Sequence, residues 1–346
     1  MERQTVQPLS NQWSPWHDRL HRHCLSHPSL LPKGSTLLVA VSGGQDSMAL
    51  VGLLLGLRRL HGWTLHLWHG DHGWHSSSAA IASALGQWCS DQALPLVINR
   101  GDRTQTGSEA LARRWRYKAL HQAAERISQA TPAQPCHHVV TGHTASDGAE
   151  TLLLQLARGT DLAGLTGLQA DRPLPSPSPA GLRLVRPLLP FLREETAAIC
   201  THLQLPIWLD PSNNDLAYAR NRIRQQVMPV LNQLHPGCEQ RITAMGLRVS
   251  QVRDSQQVLQ KLALEALTLD APTTLQKRRL AQLPADVRRN LLAHWLESQG
   301  VPGLSAQLLE ELSQATGPGC PAGGRDLPKG WRIQWAENAL QLMQRP

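Results

Sequence analysis

Short apolar runs alternate with longer helical patterns over the first half of the chain. Residues 36–41 are an unbroken apolar run of strand length after Thr36, as expected of a strand covered on both faces. An apolar helix follows at about 47–60, then a strand at 63–69, a helix at 76–89 and a strand at 94–99. A Thr106-Gly107-Ser108-Glu109 capping box opens a helix to about residue 127, and a strand at 138–142 runs into a helix ending near Arg158. This alternation predicts an α/β unit, preceded by a helix around 16–24. Residues 171–181, with Pro173, Pro175, Pro177 and Pro179 among serines, have no core-forming pattern and read as a loop or linker. Helices follow at 192–203 and from Arg220 to near Pro229. From about residue 236 the style changes to helical patterns at 239–267, 285–298 and 304–315, then a Gly/Pro loop and a candidate hairpin, 331–335 with 339–343.

A chain of 346 residues exceeds one ordinary domain. The boundary is expected near 222, with a first domain at 1–222 and a helical one at 223–346. The formal charge is +8. Lysine occurs only at 33, 118, 261, 277 and 329, so arginine supplies most of the positive charge, and its planar fork suits phosphates and base edges. That balance is compatible with a nucleic-acid partner and equally with polyanionic small substrates. Arg241, Arg248, Arg253, Lys277-Arg278-Arg279 and Arg288-Arg289 form patches suited to a phosphate backbone. The six cysteines are scattered and none forms a Cys-Xaa-Xaa-Cys pair, which argues against an iron–sulfur site or a zinc ribbon. No secretory signal stands at the start and the longest apolar run, 48–57, is too short to span a bilayer. A cytosolic protein without membrane contact is expected.

The densest chemistry lies in Ser42-Gly43-Gly44-Gln45-Asp46-Ser47, between the first strand and its helix. Two glycines let the backbone turn sharply against an oxyanion, and the helix start directs unpaired N–H groups and its positive dipole end to the same place. Ser42 and Ser47 add hydroxyls. Asp46 would repel phosphate unless a cation intervened, so it implies Mg²⁺. No lysine stands where a Walker loop requires one.

Farther on, His66, His69, His72 and His75 recur every third residue, but Gly70 and Gly73 argue against the helix that would gather them on one face. Glu109, Arg113, Arg116 and Tyr117 share one face of their helix. In the helix after the fourth strand, Asp147, Glu150, Thr151 and Arg158 fall opposite Ala149, Leu152, Leu153 and Leu156. Acids at the carboxyl end of a parallel strand can help hold Mg²⁺, fix an ammonium or accept a proton. Asp147, Glu150 and His143 are all eligible as the base. Arg220, Asn221, Arg222 and Arg224 make a basic cluster after an Asn-rich turn.

The loop at 42–47 resembles the pyrophosphate loop of the ATP pyrophosphatase (PP-loop) superfamily. The resemblance narrows at His143 to Thr151, which is similar to the block Gly-His-Xaa-Xaa-Asp-Asp-Gln-Ala-Glu-Thr of the tRNA(Ile)-lysidine synthetase family. It continues in order through Arg158-Gly159, Gly164-Leu165, Arg186-Pro187-Leu188-Leu189, Leu205-Pro206-Ile207-Trp208 with Asp210, and Ser212-Asn213-Asn214-Asp215 with Tyr218 and residues 220–224. It covers about residues 36–235. Ser146 stands where the pattern has its first aspartate, Gly148 where it has glutamine, and His75 where it has arginine.

The resemblance implies a mostly parallel five-stranded, Rossmann-like sheet with flanking helices, joined to a helical tRNA-binding domain that in many members is followed by further sequence. It implies ATP-dependent adenylation of the wobble cytidine of an isoleucine tRNA at its 2-carbonyl oxygen. The side-chain amine of L-lysine then displaces AMP, giving lysidine. On that reading Ser42, Gly43, Gly44, Gln45, Asp46 and Ser47 hold ATP, and Asp46 binds Mg²⁺. Asp46, Arg113, His143, Asp147 and Glu150 serve the reaction, while Arg116, Arg220, Asn221, Arg222 and Arg224 contact tRNA. Monomer and homodimer stay open. The competing readings are a PP-loop tRNA thiolase, against which the missing Cys-Xaa-Xaa-Cys pair weighs, a ligase for a small metabolite, and a non-catalytic tRNA-binding protein.

Overall fold

The computed structural model describes residues 13–73, 78–175, 181–208 and 215–344; His75, Pro177, Pro179, Asp210, Ser212, Asn213 and Asn214 lie outside these. The chain divides into two compact units, Met1–Ser250 and Gln251–Pro346.

In the first unit α1 (Pro15–Ser26) precedes β1 (Thr36–Ala40), α2 (Gln45–His61), β2 (Thr64–Asp71), α3 (Ser78–Asp91) and β3 (Leu96–Arg100). Then come α4 (Arg103–Thr106), α5 (Glu109–Ala130), β4 (Cys136–Thr141), α6 (Ala145–Ala157), β5 (Asp171–Pro173), β6 (Arg183–Val185) and α7 (Arg193–His202). α8 (Ala219–Arg222), a π-helical turn (Ile223–Val227), α9 (Met228–Leu234) and the start of α10 (Cys238–Leu267) close it. The strand order is β3-β2-β1-β4-β6-β5. Five strands run parallel and the sixth, β5, is antiparallel to β6. β1 is central: Leu37 and Val39 join the core beneath α1, α2 and α7, while Leu38 faces Trp68, Val139 and Leu184 under α5. Burial on both faces explains its unbroken apolar run. The chain leaves β1 toward β2 on one side and returns to β4 on the other, so the carboxyl ends of β1 and β4 form the switch point at which such sheets bind ligands.

Three expectations change. Part of the expected 171–181 loop is β5, because the Asp171 carboxylate accepts from Arg183 Nε at 2.8 Å and Leu174 and Leu182 are buried beside it. Pro173 is tolerated there because the strand lies at the edge of the sheet. The cap of α5 is Ser108, whose Oγ accepts from the Leu111 N–H at 3.3 Å; the Thr106 hydroxyl is engaged by the carbonyls of His72 and Asp102. The chain stays helical past Pro229, the second residue of α9, and the wider π-helical turn just before it accommodates the missing N–H.

The second unit holds the rest of α10, β7 (Thr274–Gln276), α11 (Lys277–Ala281), α12 (Ala285–Ser298), α13 (Ala306–Ala315), β8 (Gly323–Asp326), β9 (Trp331–Trp335) and β10 (Ala339–Gln344). The expected terminal hairpin is β9–β10, and β7 and β8 widen it to a four-stranded antiparallel sheet, β7-β10-β9-β8. Leu292, Trp295, Leu275, Ile333 and Leu340 fill its core. Two members of the expected phosphate-facing patches are interior residues. Lys277 donates to the Cys320 carbonyl at 2.9 Å, and Arg288 Nε donates to the Ser313 carbonyl at 2.7 Å. Helix ends leave carbonyls that such cations satisfy, and Ser313 lies in the last turn of α13.

Candidate active site

The loop from β1 into α2 forms a cradle of backbone. Gly43 has φ +87°, and a Cβ there would lie 3.3 Å from Trp208 Cε3, so glycine serves both the turn and the close approach of the Trp208 ring. The Trp208 N–H donates to the Gly43 carbonyl at 2.9 Å. The hydroxyls of Ser42 and Ser47 meet at 3.1 Å, and Ser42 Oγ accepts from the Gly44 N–H at 3.2 Å. Gly44 caps α2 without a side-chain partner, leaving the helix's first N–H groups to a ligand. Gln45 turns away: its amide donates to the Arg193 carbonyl at 2.8 Å and the Thr196 hydroxyl at 3.1 Å, tying α2 to α7.

Asp46 reaches α7 as well. Its carboxylate accepts from Arg193 Nη1 at 2.8 Å and from Thr196 Oγ1 at 2.5 Å. Burial raises its pKa against the opposing pull of Arg193. A carboxylate oxygen has two lone pairs, so both oxygens keep acceptor capacity in this arrangement. One carboxylate beside a phosphate cradle is the donor set of a cation that takes its other ligands from phosphate and water, and the residues therefore fit Mg²⁺. Among the described residues no group of three or more His, Cys, Asp or Glu side chains could hold a metal by protein ligands alone.

The second wall comes from α6. Thr144 caps it, with the Asp147 carboxylate returning to the Thr144 N–H at 2.8 Å. The face carrying Asp147 and Glu150 is buried, to 8 % and 1 % exposure, as are Ala149 and Leu152 on the opposite side, so the first turns of α6 are enclosed all round. Arginines make burial of the two acids tolerable. Arg220 Nε and Arg224 Nε reach the two Glu150 oxygens at 2.8 and 2.6 Å, and Arg220 Nη2 reaches Asp147 at 2.9 Å. Arg224 Nη2 lies 3.6 Å from Asp147. Two of the arginines expected at tRNA thus face the acids. Burial by itself would raise Asp147, but the Arg220 guanidinium, the Thr144 N–H and the Arg224 guanidinium overcome it and the net shift is downward. His143 is held near 3 by burial, opposed by Asp147, and its Nδ1 lies 2.9 Å from Thr141 Oγ1. It is therefore neutral at ordinary pH.

The remaining expected residues divide. Arg113 lies over the Tyr117 ring at 5.4 Å and is exposed, and Arg116 reaches His72 Nε2 at 3.0 Å. Neither has an ion pair with Asp46, Asp147 or Glu150 among the described residues. Asn221 is buried and donates to the Asp215 carbonyl at 2.8 Å, shaping the turn; Arg222 is exposed. Sequence reasoning missed Arg193, Thr196 and Glu239. Arg193 had a signal: a cation opening a helix, next to Glu194 and Glu195, opposes the dipole and asks for a partner.

Residues 18–231 match the PP-loop domain family, and residues 275–330 match the TilS substrate binding domain. The chain is 55 % identical over 335 residues to the tRNA(Ile)-lysidine synthase of Parasynechococcus marenigrum (strain WH8102), spanning 97 % of this chain and 96 % of that protein. It belongs to the tRNA(Ile)-lysidine synthase family. A second member, from Prochlorococcus marinus, is 45 % identical over 335 residues, spanning 97 % of this chain and 98 % of that one. Among solved structures, the U34-tRNA thiolase NcsA from Methanococcus maripaludis matches with a TM-score of 0.53 at 17 % identity, over 67 % of this chain and 78 % of that one. That likeness is one of fold. The family's PP-loop match contains the cradle and both walls of the site, and its substrate-binding match lies within the second unit.

Proposed function

We propose that the chain is an ATP-dependent carbon–nitrogen ligase that converts the wobble cytidine of an isoleucine tRNA to lysidine, using ATP and L-lysine in the cytoplasm. The observation that carries this is the meeting, at the switch point of the sheet, of the cradle after β1 with Asp147 and Glu150 after β4. In the first step the cytidine 2-carbonyl oxygen attacks the α-phosphorus of ATP and pyrophosphate leaves. In the second the lysine side-chain amine attacks C2, AMP leaves and the amine gives up a proton.

The N–H groups at the start of α2 and the hydroxyls of Ser42 and Ser47 receive the departing pyrophosphate, where developing charge is stabilised most. Asp46 would hold Mg²⁺, which supplies charge neutralisation at the phosphates. Arg193, Arg220 and Arg224 balance Asp46, Asp147 and Glu150 one for one, so a triphosphate competes with carboxylates for the guanidinia. His143 stays neutral even beside the ionised Asp147, so it can only relay the amine proton onward to solvent and does not hold it as imidazolium. Arg113 positions the target nucleotide; Arg116 and Arg222 face tRNA. The first unit carries catalysis and the second contacts tRNA, possessing the exposed Arg278 and Arg279.

The test is purified protein with isoleucine tRNA bearing a wobble cytidine and Mg-ATP, with and without L-lysine, followed by pyrophosphate assay and mass analysis of the nucleoside. A lysine-dependent mass gain on that cytidine is expected. Pyrophosphate release with no such gain would sink the reading, as would tRNA binding without turnover.

A further inference from the structure

The two positions of α6 that depart from the family pattern meet the same neighbour. A Cβ on Gly148 would come within 2.6 Å of Thr243 Oγ1, so the missing side chain lets the start of α10 lie against α6. There Thr243 Oγ1 donates to the Ala145 carbonyl at 2.7 Å. One turn earlier on α10 stands Glu239, and the Ser146 hydroxyl donates to its Oε2. Its other oxygen accepts from Asn232 Nδ2 at 2.7 Å. Ser146 Oγ also accepts from the Arg193 N–H at 3.1 Å, joining α6, α7 and α10 at one point. The carboxylate that position 146 lacks is thereby brought in from another helix.

Glu239 lines a chamber of about 550 Å³ that adjoins the charged cluster: Ser146, Glu150, Arg193, Glu194 and Arg224 supply its polar wall, and Leu192, Ala197 and Met228 its apolar one. Asp46, Asp147 and Glu150 are each held by an arginine. The two partners of Glu239, Asn232 and Ser146, are neutral. A half-buried carboxylate with neutral partners favours a cationic ligand, because a cation offsets the desolvation that neutral donors leave uncovered. Leu192, Ala197 and Met228 give the same chamber apolar wall suited to a chain of methylenes. The combination describes an amino acid with an ammonium at the end of an aliphatic side chain.

Resting on the lysine-dependent reaction proposed above, we propose that this chamber is the amino-acid subsite and that Glu239 binds an ammonium group of L-lysine, doing from α10 what Ser146 cannot do from α6. Gly148 is part of the same device: a side chain there would push α10 away and lift Glu239 from Ser146.

The experiment is steady-state kinetics with isoleucine tRNA and Mg-ATP over a range of L-lysine for the wild type, Glu239→Gln, and the double variant Ser146→Asp with Glu239→Gln. Glutamine keeps the shape and removes the charge. Loss of a charge-assisted contact is expected to raise KM for lysine about 10- to 100-fold with KM for ATP within about twofold. The double variant returns a carboxylate to the chamber and is expected to recover most of the lost lysine affinity. An unchanged lysine KM in Glu239→Gln overturns the proposal, and so does a parallel rise in KM for ATP, which would mark a merely structural role. Wild-type protein that forms no lysine-dependent product fails the functional reading itself, before any variant is compared, and overturns this proposal with it.

Discussion

In the phosphate cradle every donor comes from six consecutive residues, whereas the charged cluster facing it draws Asp46, Asp147, Glu150, Arg193, Arg220 and Arg224 from four separate segments. The cradle uses backbone geometry, which a local sequence can dictate. The cluster uses buried charge, which only the finished fold can assemble and which fails when one partner is lost. The two are joined at Asp46, last but one in the cradle and paired to Arg193 in the cluster. Changes in the cluster should therefore act on stability and catalysis together, and changes in the cradle chiefly on nucleotide handling.

The sharpest break of that contrast is Glu150→Ala. It strands the guanidinia of Arg220 and Arg224 beside Asp147, and removing one partner of a buried pair costs about 3–5 kcal/mol. The melting temperature is expected to fall by more than about 5 °C, with activity abolished. A shift under a degree would mean that the arginines find solvent at no cost, and that the cluster is no more than a surface feature.

Acid should press on the same region. His143 has its pKa depressed to about 3, so the unfolded chain binds its proton first. The stability it contributes is complete above about 6.5, is lost as pH falls below that value, and stops falling only near 3. Asp147, also depressed, keeps its contribution until pH falls below the usual carboxylate range. Denaturant unfolding at pH 7 and pH 5 should show His143→Gln losing about 2 kcal/mol less than wild type over that interval. Equal losses would remove His143 from the account. Other buried or half-buried histidines, among them His23, depressed to about 4, keep the remaining acid sensitivity in both proteins.

The contrast also sets how much was legible beforehand. The cradle, β1 and α2 could be read from residues 36–60 because turn chemistry and a doubly buried strand leave local marks. Asp147 and Glu150 could be chosen as acids at a strand end, but nothing local said that their face is buried. That depends on Arg220 and Arg224, some 70 positions away, which the sequence reading assigned to tRNA and the fold sets against the acids. β5 was missed because its edge position tolerates Pro173, and proline normally argues against a strand. In the second unit Arg288 and Lys277 resembled phosphate contacts, since sequence does not show which cations turn inward to carbonyls, that of Ser313 in the last turn of α13 for Arg288 and that of Cys320 in the following loop for Lys277.

A smaller effect is expected where β4 meets the cradle. A Cβ on Gly142 would lie 2.7 Å from the Asp46 carbonyl oxygen and 3.0 Å from the Ser47 nitrogen, both backbone atoms that cannot swing aside. Gly142→Ala should cost about 1–3 kcal/mol and displace the first turn of α2. KM for ATP should rise far more than KM for lysine. Equal rises would show that the cradle and the chamber move as one body, and the contrast between local and assembled parts would lose its force.

The smallest effect separates two neighbours within the basic cluster. Arg224 has a fifth of its side chain exposed and grips Glu150 with two nitrogens, at 2.6 and 2.8 Å. Arg222, two residues earlier, is exposed and lies outside those pairs. Arg222→Ala should change stability by no more than about 0.5 kcal/mol while reducing the slope of log affinity for tRNA against log salt by about one. Arg224→Ala should instead destabilise the protein, because Glu150 loses half of its neutralisation in a buried place. If both variants reduce the salt slope alike with stability intact, the Glu150 pairing gives way when tRNA binds and Arg224 moves to phosphate. If neither changes the slope, tRNA is held elsewhere, with the exposed Arg278 and Arg279 next to be replaced.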